Sequence, residues 1–431
     1  MHIITIEIFS QDCCKSICDC LYSNNKKSEE EENLEEEENK EEELKLTKEQ
    51  EQYFKSLLKD FDKNIKIFND SIFSEDPDST GVREYTIVKD GTASNKGILG
   101  KGVYGTVYKV KNKEGKIFAL KKAFVKQNFS SLGKKEILAL IKCRKCKNVI
   151  KIVDVYKKNG IEQKYIAEDN GDVDGFYYYI ITELYDHGDL LREISSIYGD
   201  GDIKRYYIVL RRSIYQMINA VKQVHDKGII HRDIKPENFF IGENYKLYLG
   251  DFGCVSEQYD GMAAGDFDYR CHHLLIYLYE KRKELKKNKN FNKLFKFLDI
   301  FALATSIFHL LTERIFWAQI RPKELINKNR EADQKWKQIT YNKVEGKDIS
   351  ENLSIFRYTS EECEYNKDVV FAEYQEPEKY KNLDSDFVTF LKKILLKFDF
   401  ETFDVVTIDD LINSDFYKGL KSLVKEEENL V

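Results

Sequence analysis

The octapeptide His231-Arg232-Asp233-Ile234-Lys235-Pro236-Glu237-Asn238 is followed, eighteen positions after Asp233, by Asp251-Phe252-Gly253. This sets two carboxylates, a carboxamide and an ammonium at a spacing suited to phosphoryl transfer. One aspartate can accept the proton of an attacking hydroxyl, and a lysine can screen charge on the moving group. An asparagine with the second aspartate supplies the hard oxygen ligands that Mg²⁺ favours. Upstream, Gly100, Gly102 and Gly105 lie within Ile98 to Val110, where backbone amides can approach phosphate oxygens with no Cβ in the way. Alone that motif is weak, since an ordinary β-turn uses the same residues. A strand, Ile117 to Lys121, follows at once. A lysine ending an otherwise apolar strand is costly to bury unless an anion meets it, which makes Lys121 a candidate for phosphate contact.

These groups need elements to position them. The alternation of β-branched and aromatic residues around the glycines predicts a hairpin. Phe176 to Leu184 forms a further apolar strand, and Lys134 to Ile141 has a helical pattern that carries Glu136. From Tyr206 to Lys227, Ile214, Ile218, Val221 and Val224 make one stripe of a helix that delivers the chain into the octapeptide. Lys157 to Gly175 is polar and predicts an enlarged loop, and Phe387 to Phe398 with Ile408 to Phe416 predict closing helices.

The octapeptide and Asp251-Phe252-Gly253 resemble the catalytic and metal-binding loops of eukaryotic protein kinases, and the resemblance runs from about Asn95 to Lys418. It implies an α+β, two-lobed fold: a small antiparallel β lobe with one helix over 95–184, a mainly α-helical large lobe over 185–418, and ATP between them. Carried over position by position, Lys121 would hold the ATP α/β-phosphates and Glu136 would pair with it. Asp233 would orient and deprotonate the substrate hydroxyl, Lys235 would neutralise the γ-phosphate, and Asn238 and Asp251 would hold Mg²⁺. Gly100, Gly102 and Gly105 would cover the phosphates. Thr182 takes the gatekeeper position, Glu183 and Tyr185 would meet the adenine edge, and Leu99, Val107, Ala119 and Phe240 would wall the pocket. His231 would be architectural. Asp299, in Asp299-Ile300-Phe301-Ala302-Leu303-Ala304, would brace the catalytic loop from a buried helix.

Lysine two residues after Asp233 resembles the serine/threonine branch, so the implied activity is transfer of the ATP γ-phosphate to serine or threonine of protein substrates. The competing class is a catalytically silent, nucleotide-binding scaffold. Two departures bear on this. Gly265-Asp266 stands where the family has Gly-Thr, and His273 replaces the glutamate of its Ala-Pro-Glu. No arginine occurs around Asp399 to Asp404 to meet that glutamate, so both halves of a buried ion pair are absent together. Asp266 could reach Lys235 in place of the missing hydroxyl, or repel a substrate phosphate. Arg232 would pair with negative charge on the activation segment, supplied by phosphorylation of Ser256 or Tyr259 or already by Glu257 or Asp260.

Outside this region, composition sets limits. The chain has 431 residues and a formal charge of −6, with much of the acid gathered in Ser28 to Glu43, so a general nucleic-acid binder is not expected. Residues 1–80 are expected to be an acidic, largely disordered tail holding one amphipathic helix over 47–68, with Ser74 to Gly81 as linker and 419–431 as a C-terminal tail. That helix either docks on its own domain or binds a partner. Eight basic residues in Lys281 to Lys296 predict a solvated insertion that could also receive acidic substrates or the acidic tail. Nothing approaches the apolar run a transmembrane helix needs. The start is too acidic for a secretory signal, so a reducing compartment is expected, the cytoplasm or alternatively the nucleus. The nine cysteines then predict free thiols, including Cys143 and Cys146 at a helix end and the cluster Cys13, Cys14, Cys18 and Cys20.

Overall fold

A computed structural model of the chain describes residues 46–75, 83–89, 97–102, 105–127, 130–163, 172–185, 187–258, 264–266, 268–285, 288, 290–312, 390–391, 393–395, 400 and 402–428. The Ser28 to Glu43 run, the cysteine cluster, Tyr259 and Asp260 lie outside these residues.

Helix α1 (Lys48–Lys59) opens with a reciprocal cap: Thr47 Oγ1 accepts from Gln50 N–H, and the Gln50 side chain accepts from Thr47 N–H. The single helix expected over 47–68 stops at Asp60. That residue is extended (φ −153°), and its carboxylate accepts from Lys63 N–H, capping a separate short helix, α2 (Phe61–Asn64). Aspartate competes for backbone amides in this way and starts a helix more readily than it continues one. Strand β1 (Lys66–Ile67) follows, then β2 (Tyr85–Ile87), β3 (Ile98–Gly102), β4 (Gly105–Asn112) and β5 (Ile117–Lys126). Helix α3 (Ser130–Cys143) and the long strands β6 (Ile152–Gln163) and β7 (Asp172–Glu183) complete the small lobe.

The seven strands run in the order β1-β6-β7-β5-β4-β2, with β3 on β4. All pairs are antiparallel except β1 with β6. Residues 68–73 and 85–87 cover the outer sheet face: Phe68, Ile72, Phe73, Tyr85 and Ile87 cluster with Tyr108, Val110, Phe118 and Leu120. Phe68 stacks on Tyr179 with ring centres 3.7 Å apart. The lobe therefore starts well before the expected boundary at 95, and it carries α1 and α2 as well as α3. The loop expected over 157–175 is instead a hairpin ribbon, with β6 and β7 paired out to Gln163↔Asp172. Lys157 Nζ sits 3.8 Å from the Phe176 ring centre.

In the large lobe, Asp189 caps α4 (Leu190–Gly199) by accepting from Arg192 N–H, and α5 (Ile203–Asp226) buries the expected stripe. The β8 (Phe239–Ile241)–β9 (Leu247–Leu249) hairpin follows, then α6 (His272–Leu285) and α7 (Phe291–Thr312). Helix α7 is apolar nearly all round, as a helix enclosed on every side must be. Within the expected insertion, residues 281–285 end α6 and residues 291–296 begin α7; Leu285, Leu294 and Phe295 are core residues. Last come α8 (Ile408–Ile412) and α9 (Asp415–Glu428). Leu420 and Val424 are buried, so residues 419–428 continue a docked helix. Trp317 to Leu383 lies outside the described residues, as does most of the expected helix 387–398.

Candidate active site

Strand periodicity divides β4 and β5 between two faces. Tyr108, Val110, Phe118 and Leu120 turn to the outer cluster, while Gly105, Val107, Ala119 and Lys121 line a cavity of about 540 Å³ between the lobes. The opposite wall comes from Phe240, Asn238 and Asp251, and the back from Thr182, Glu183 and Tyr185. Leu99, Gly100 and Gly102 form the roof. The residues expected to contact the adenine, the α/β-phosphates and Mg²⁺ thus line one cavity, of a size suited to a small ligand, whereas Asp233 and Lys235 are not in its lining.

Lys121 Nζ lies 2.6 Å from Glu136 Oε1 on α3 and 3.2 Å from Asp251 Oδ1. Burial works against the lysine's charge, but the two carboxylates outweigh it and hold the ammonium above its ordinary range. Burial would likewise raise the Asp251 carboxyl; Lys121, His231 and the Gly253 amide lower it on balance, so it stays ionised. Asp251 has φ +52°, a left-handed conformation that costs a non-glycine residue energy, and Arg232 has φ +66°. Such strain persists only where surroundings enforce it. For Arg232 the enforcement is visible: Asp299, fully buried on α7, accepts from Arg232 N–H at 2.6 Å and His231 N–H at 2.7 Å, and is 2.9 Å from His225 Nε2. His231 in turn reaches Gly250 O at 3.0 Å.

Asp233 is buried and meets three neighbours. Asn238 Nδ2 donates to its Oδ2 at 3.0 Å, Asp266 N–H donates to its Oδ1 at 2.8 Å, and Lys235 Nζ lies 3.7 Å away. Lys235 also donates to Asp266 Oδ2 at 3.0 Å, so Asp266 does span to the lysine as expected of a substitute for the absent hydroxyl. Burial opposes the Lys235 charge, while Asp233 and Asp266 raise its pKa on balance. With its amide nitrogen turned to Asp233, Asn238 keeps its Oδ1 as an acceptor near Asp251 in the same cavity wall. A carboxamide oxygen and an ionised carboxylate are the donors a hard divalent cation takes.

The Ser256 expectation is corrected, while that for Arg232 turns partly on Tyr259 and Asp260, which lie outside the described residues. Ser256 is 3 % exposed, pairs its backbone with Ile230 in both directions, and donates its hydroxyl to Gln258 O, so it offers no accessible phosphorylation site in this conformation. Glu257 pairs with Lys142 on α3, and the Arg232 Nε–H donates to Cys254 O at 2.6 Å. Near the absent ion pair, Lys293 donates to Phe403 O at 3.0 Å, a different tie between α7 and the C-terminal segment. Cys143 and Cys146 sit buried at the end of α3.

Leu140, Ile150 and Ile180 also line the cavity and escaped the sequence reading. Two carried a signal: Leu140 is one turn beyond Glu136 on α3, and Ile180 shares the Thr182 face of β7. Ile150 follows α3 in an irregular segment and carried none.

The protein kinase domain family model matches residues 93–402. Curated relatives include cyclin-dependent kinase-like 1 of Caenorhabditis elegans, 30% identical over 41% of this chain and 46% of its own length. Human cyclin-dependent kinase-like 2 is 31% identical over 37% of this chain and 29% of its own. Serine/threonine-protein kinase CHK1 of Saccharomyces cerevisiae is 32% identical over 32% and 22%. The chain spans less than half the length of these relatives. With a family match over most of its length and a cleft built from the matching residues, this chain belongs to the eukaryotic protein kinase superfamily.

Proposed function

We propose that this chain is an active kinase that moves the γ-phosphate of ATP to serine or threonine hydroxyls of protein substrates. The observation that carries this is the Lys121 ammonium held between Glu136 and Asp251 at 2.6 and 3.2 Å, opposite an intact Asp233–Lys235–Asn238 set. Mg²⁺ held by Asn238 and Asp251 would neutralise phosphate charge. Lys121 orients the α/β-phosphates, and Asp233, fixed by Asn238 and the Asp266 amide, takes up the proton of the acceptor hydroxyl. Lys235 screens the transferred group, its charge secured by two carboxylates. Catalysis here is positioning plus charge stabilisation, so the short, mutually bonded contacts matter more than any unusual acidity.

Asp266 and His273 favour a second reading, a silent nucleotide-binding scaffold. An incubation of Mg·ATP with a generic protein substrate beside Asp233→Asn separates the two. Turnover lost in the variant supports the kinase; nucleotide binding with no turnover in either supports the scaffold. As further parts of the proposal, the chain works in the cytoplasm or alternatively the nucleus, and the acidic 28–43 run contacts the basic 281–296 stretch. Deleting 28–43 would then raise the rate at low salt, and an unchanged rate at every ionic strength would count against that contact.

A further inference from the structure

Glu136 reaches Lys121 only while α3 lies close against the sheet. Its approach is tight: a Cβ on Gly133 would come within 2.6 Å of the Tyr178 ring on β7. The same flank of α3 is met by the chain's own N-terminal segment. Helix α1 packs on α3, and Phe54, Leu57, Phe61 and Ile65 are buried in one cluster with Ile137, Leu140 and Ile141 of α3. The Phe61 ring lies 6.2 Å from the same Tyr178. Asp62 pairs with Lys134 in the first turns of α3, and Glu51 lies 3.8 Å from Lys145 just beyond its end.

The other side of the segment is fastened to β6. Gln50 Nε2 donates to Val153 O at 3.1 Å, Tyr53 OH donates to Val155 O at 2.8 Å, and Lys66 Nζ meets both Asp154 oxygens at 3.1 and 2.9 Å. Strand β1 then continues the sheet beside β6. The ion pairs to α3 are well exposed and worth little by themselves. The apolar wedge of Phe54 and Leu57, at 0 % and 1 % exposure, dominates the attachment.

We propose that residues 47–65 are a built-in positioning clamp: anchored on β6, they tie α3 to the sheet, keep Glu136 on Lys121, and thereby set the affinity of the cleft for Mg·ATP. The inference rests on the nucleotide-site reading above. If α3 moves out, Lys121 keeps Asp251 at 3.2 Å but loses Glu136, its nearer partner at 2.6 Å. These are positioning residues, acting through Glu136 without touching nucleotide.

The test is a double-variant cycle on the full chain, read as equilibrium binding of a fluorescent Mg·ATP analogue well below each melting temperature. Phe54→Ala is expected to weaken binding about tenfold, and to weaken it less than about twofold further in a Glu136→Gln background. Equal losses in both backgrounds, or no loss in either, would overturn the clamp, because a merely structural role does not depend on Glu136. Should Phe54→Ala fail to fold, Gln50→Ala with Tyr53→Phe releases the β6 anchors and is read by the same cycle. A wild-type chain that binds no Mg·ATP would instead overturn the site reading, and the clamp with it.

Discussion

Replacing Asp299 by asparagine tests how the catalytic loop is held. The carboxylate is wholly buried and serves three donors: Arg232 N–H on Oδ1, and His231 N–H with His225 Nε2 on Oδ2. Asparagine keeps one oxygen. Its better orientation keeps the Oδ2 side and turns NH₂ toward Arg232 N–H, which strands that buried donor at about 1–3 kcal/mol. The two remaining bonds lose their ionic character, about 1 kcal/mol each. The sum, roughly 3–5 kcal/mol, corresponds to a melting temperature lower by about 6–20 °C at 2–4 °C per kcal/mol. Arg232, freed from its enforced φ of +66°, would relax, and Asp233 beside it would shift. Misplacement of a reacting group by about 1 Å costs on the order of 10²-fold in rate. Acid sensitivity supplies a second reading. Burial would raise the Asp299 pKa, but the His225 bond and the His225 and His231 charges hold it below the usual carboxylate range. A lowered folded pKa contributes stability above the unfolded pKa of about 3.9, and that stability is lost as pH falls through the folded value. Asparagine cannot titrate, so the variant should lose less stability between pH 5 and pH 3, each of these taken as an approximate bound. Calorimetry with turnover measured well below the melting point checks both. A melting temperature within about 2 °C of wild type, or a large drop in it with unchanged turnover, would refute the reasoning.

Lys121→Met leaves the buried Glu136 and the half-buried Asp251 without their shared cation and should destabilise by about 3–5 kcal/mol. Adding Glu136→Leu should recover much of that stability in a melt without restoring nucleotide binding. Asp266→Thr keeps a group able to reach Lys235 while removing a negative charge next to Asp233. It should retain turnover within about threefold at saturating substrate; a loss above about 100-fold would show that the carboxylate itself is needed. Burial lowers the His309 pKa, and Tyr269 OH meets its Nδ1 at 2.7 Å, with Glu237 beyond the tyrosine at 3.4 Å. Its share of stability is therefore present above the unfolded histidine pKa of about 6.5 and lost as pH falls through the lower folded value, so His309→Gln should flatten the melting curve against pH below about 6.5.

The chemistry was legible because it resides in short, contiguous strings. Asp233, Lys235 and Asn238 come from one loop, and the Asp251 string announced a turn; Lys121, read as ending its strand, sits mid-strand in β5, which runs on to Lys126. Asp299 was legible too, since its helix is continuously apolar around one acid. The rest depended on tertiary contacts that sequence patterns do not encode. Polar residues from Lys157 onward looked like loop because a run of lysine, asparagine and glycine shows no apolar alternation, although it pairs as a strand. The lysines of 281–296 hid Leu285, Leu294 and Phe295, whose burial follows from the neighbouring helices. Asp60 looked like one polar position in a long helix until its carboxylate was seen to cap the next one. Ser256 had the right residue type for modification, but its burial comes from pairing with Ile230, twenty-six residues earlier.

The central claim is that Lys121, Asn238 and Asp251 grip a nucleotide and a divalent cation together. Equilibrium ATP binding with and without Mg²⁺, for wild type and Asp251→Asn, tests it most directly. The account predicts that Mg²⁺ tightens ATP binding by about tenfold or more in wild type and that most of this gain disappears in the variant. ATP binding indifferent to Mg²⁺ in wild type, or an equal gain in both proteins, would contradict it.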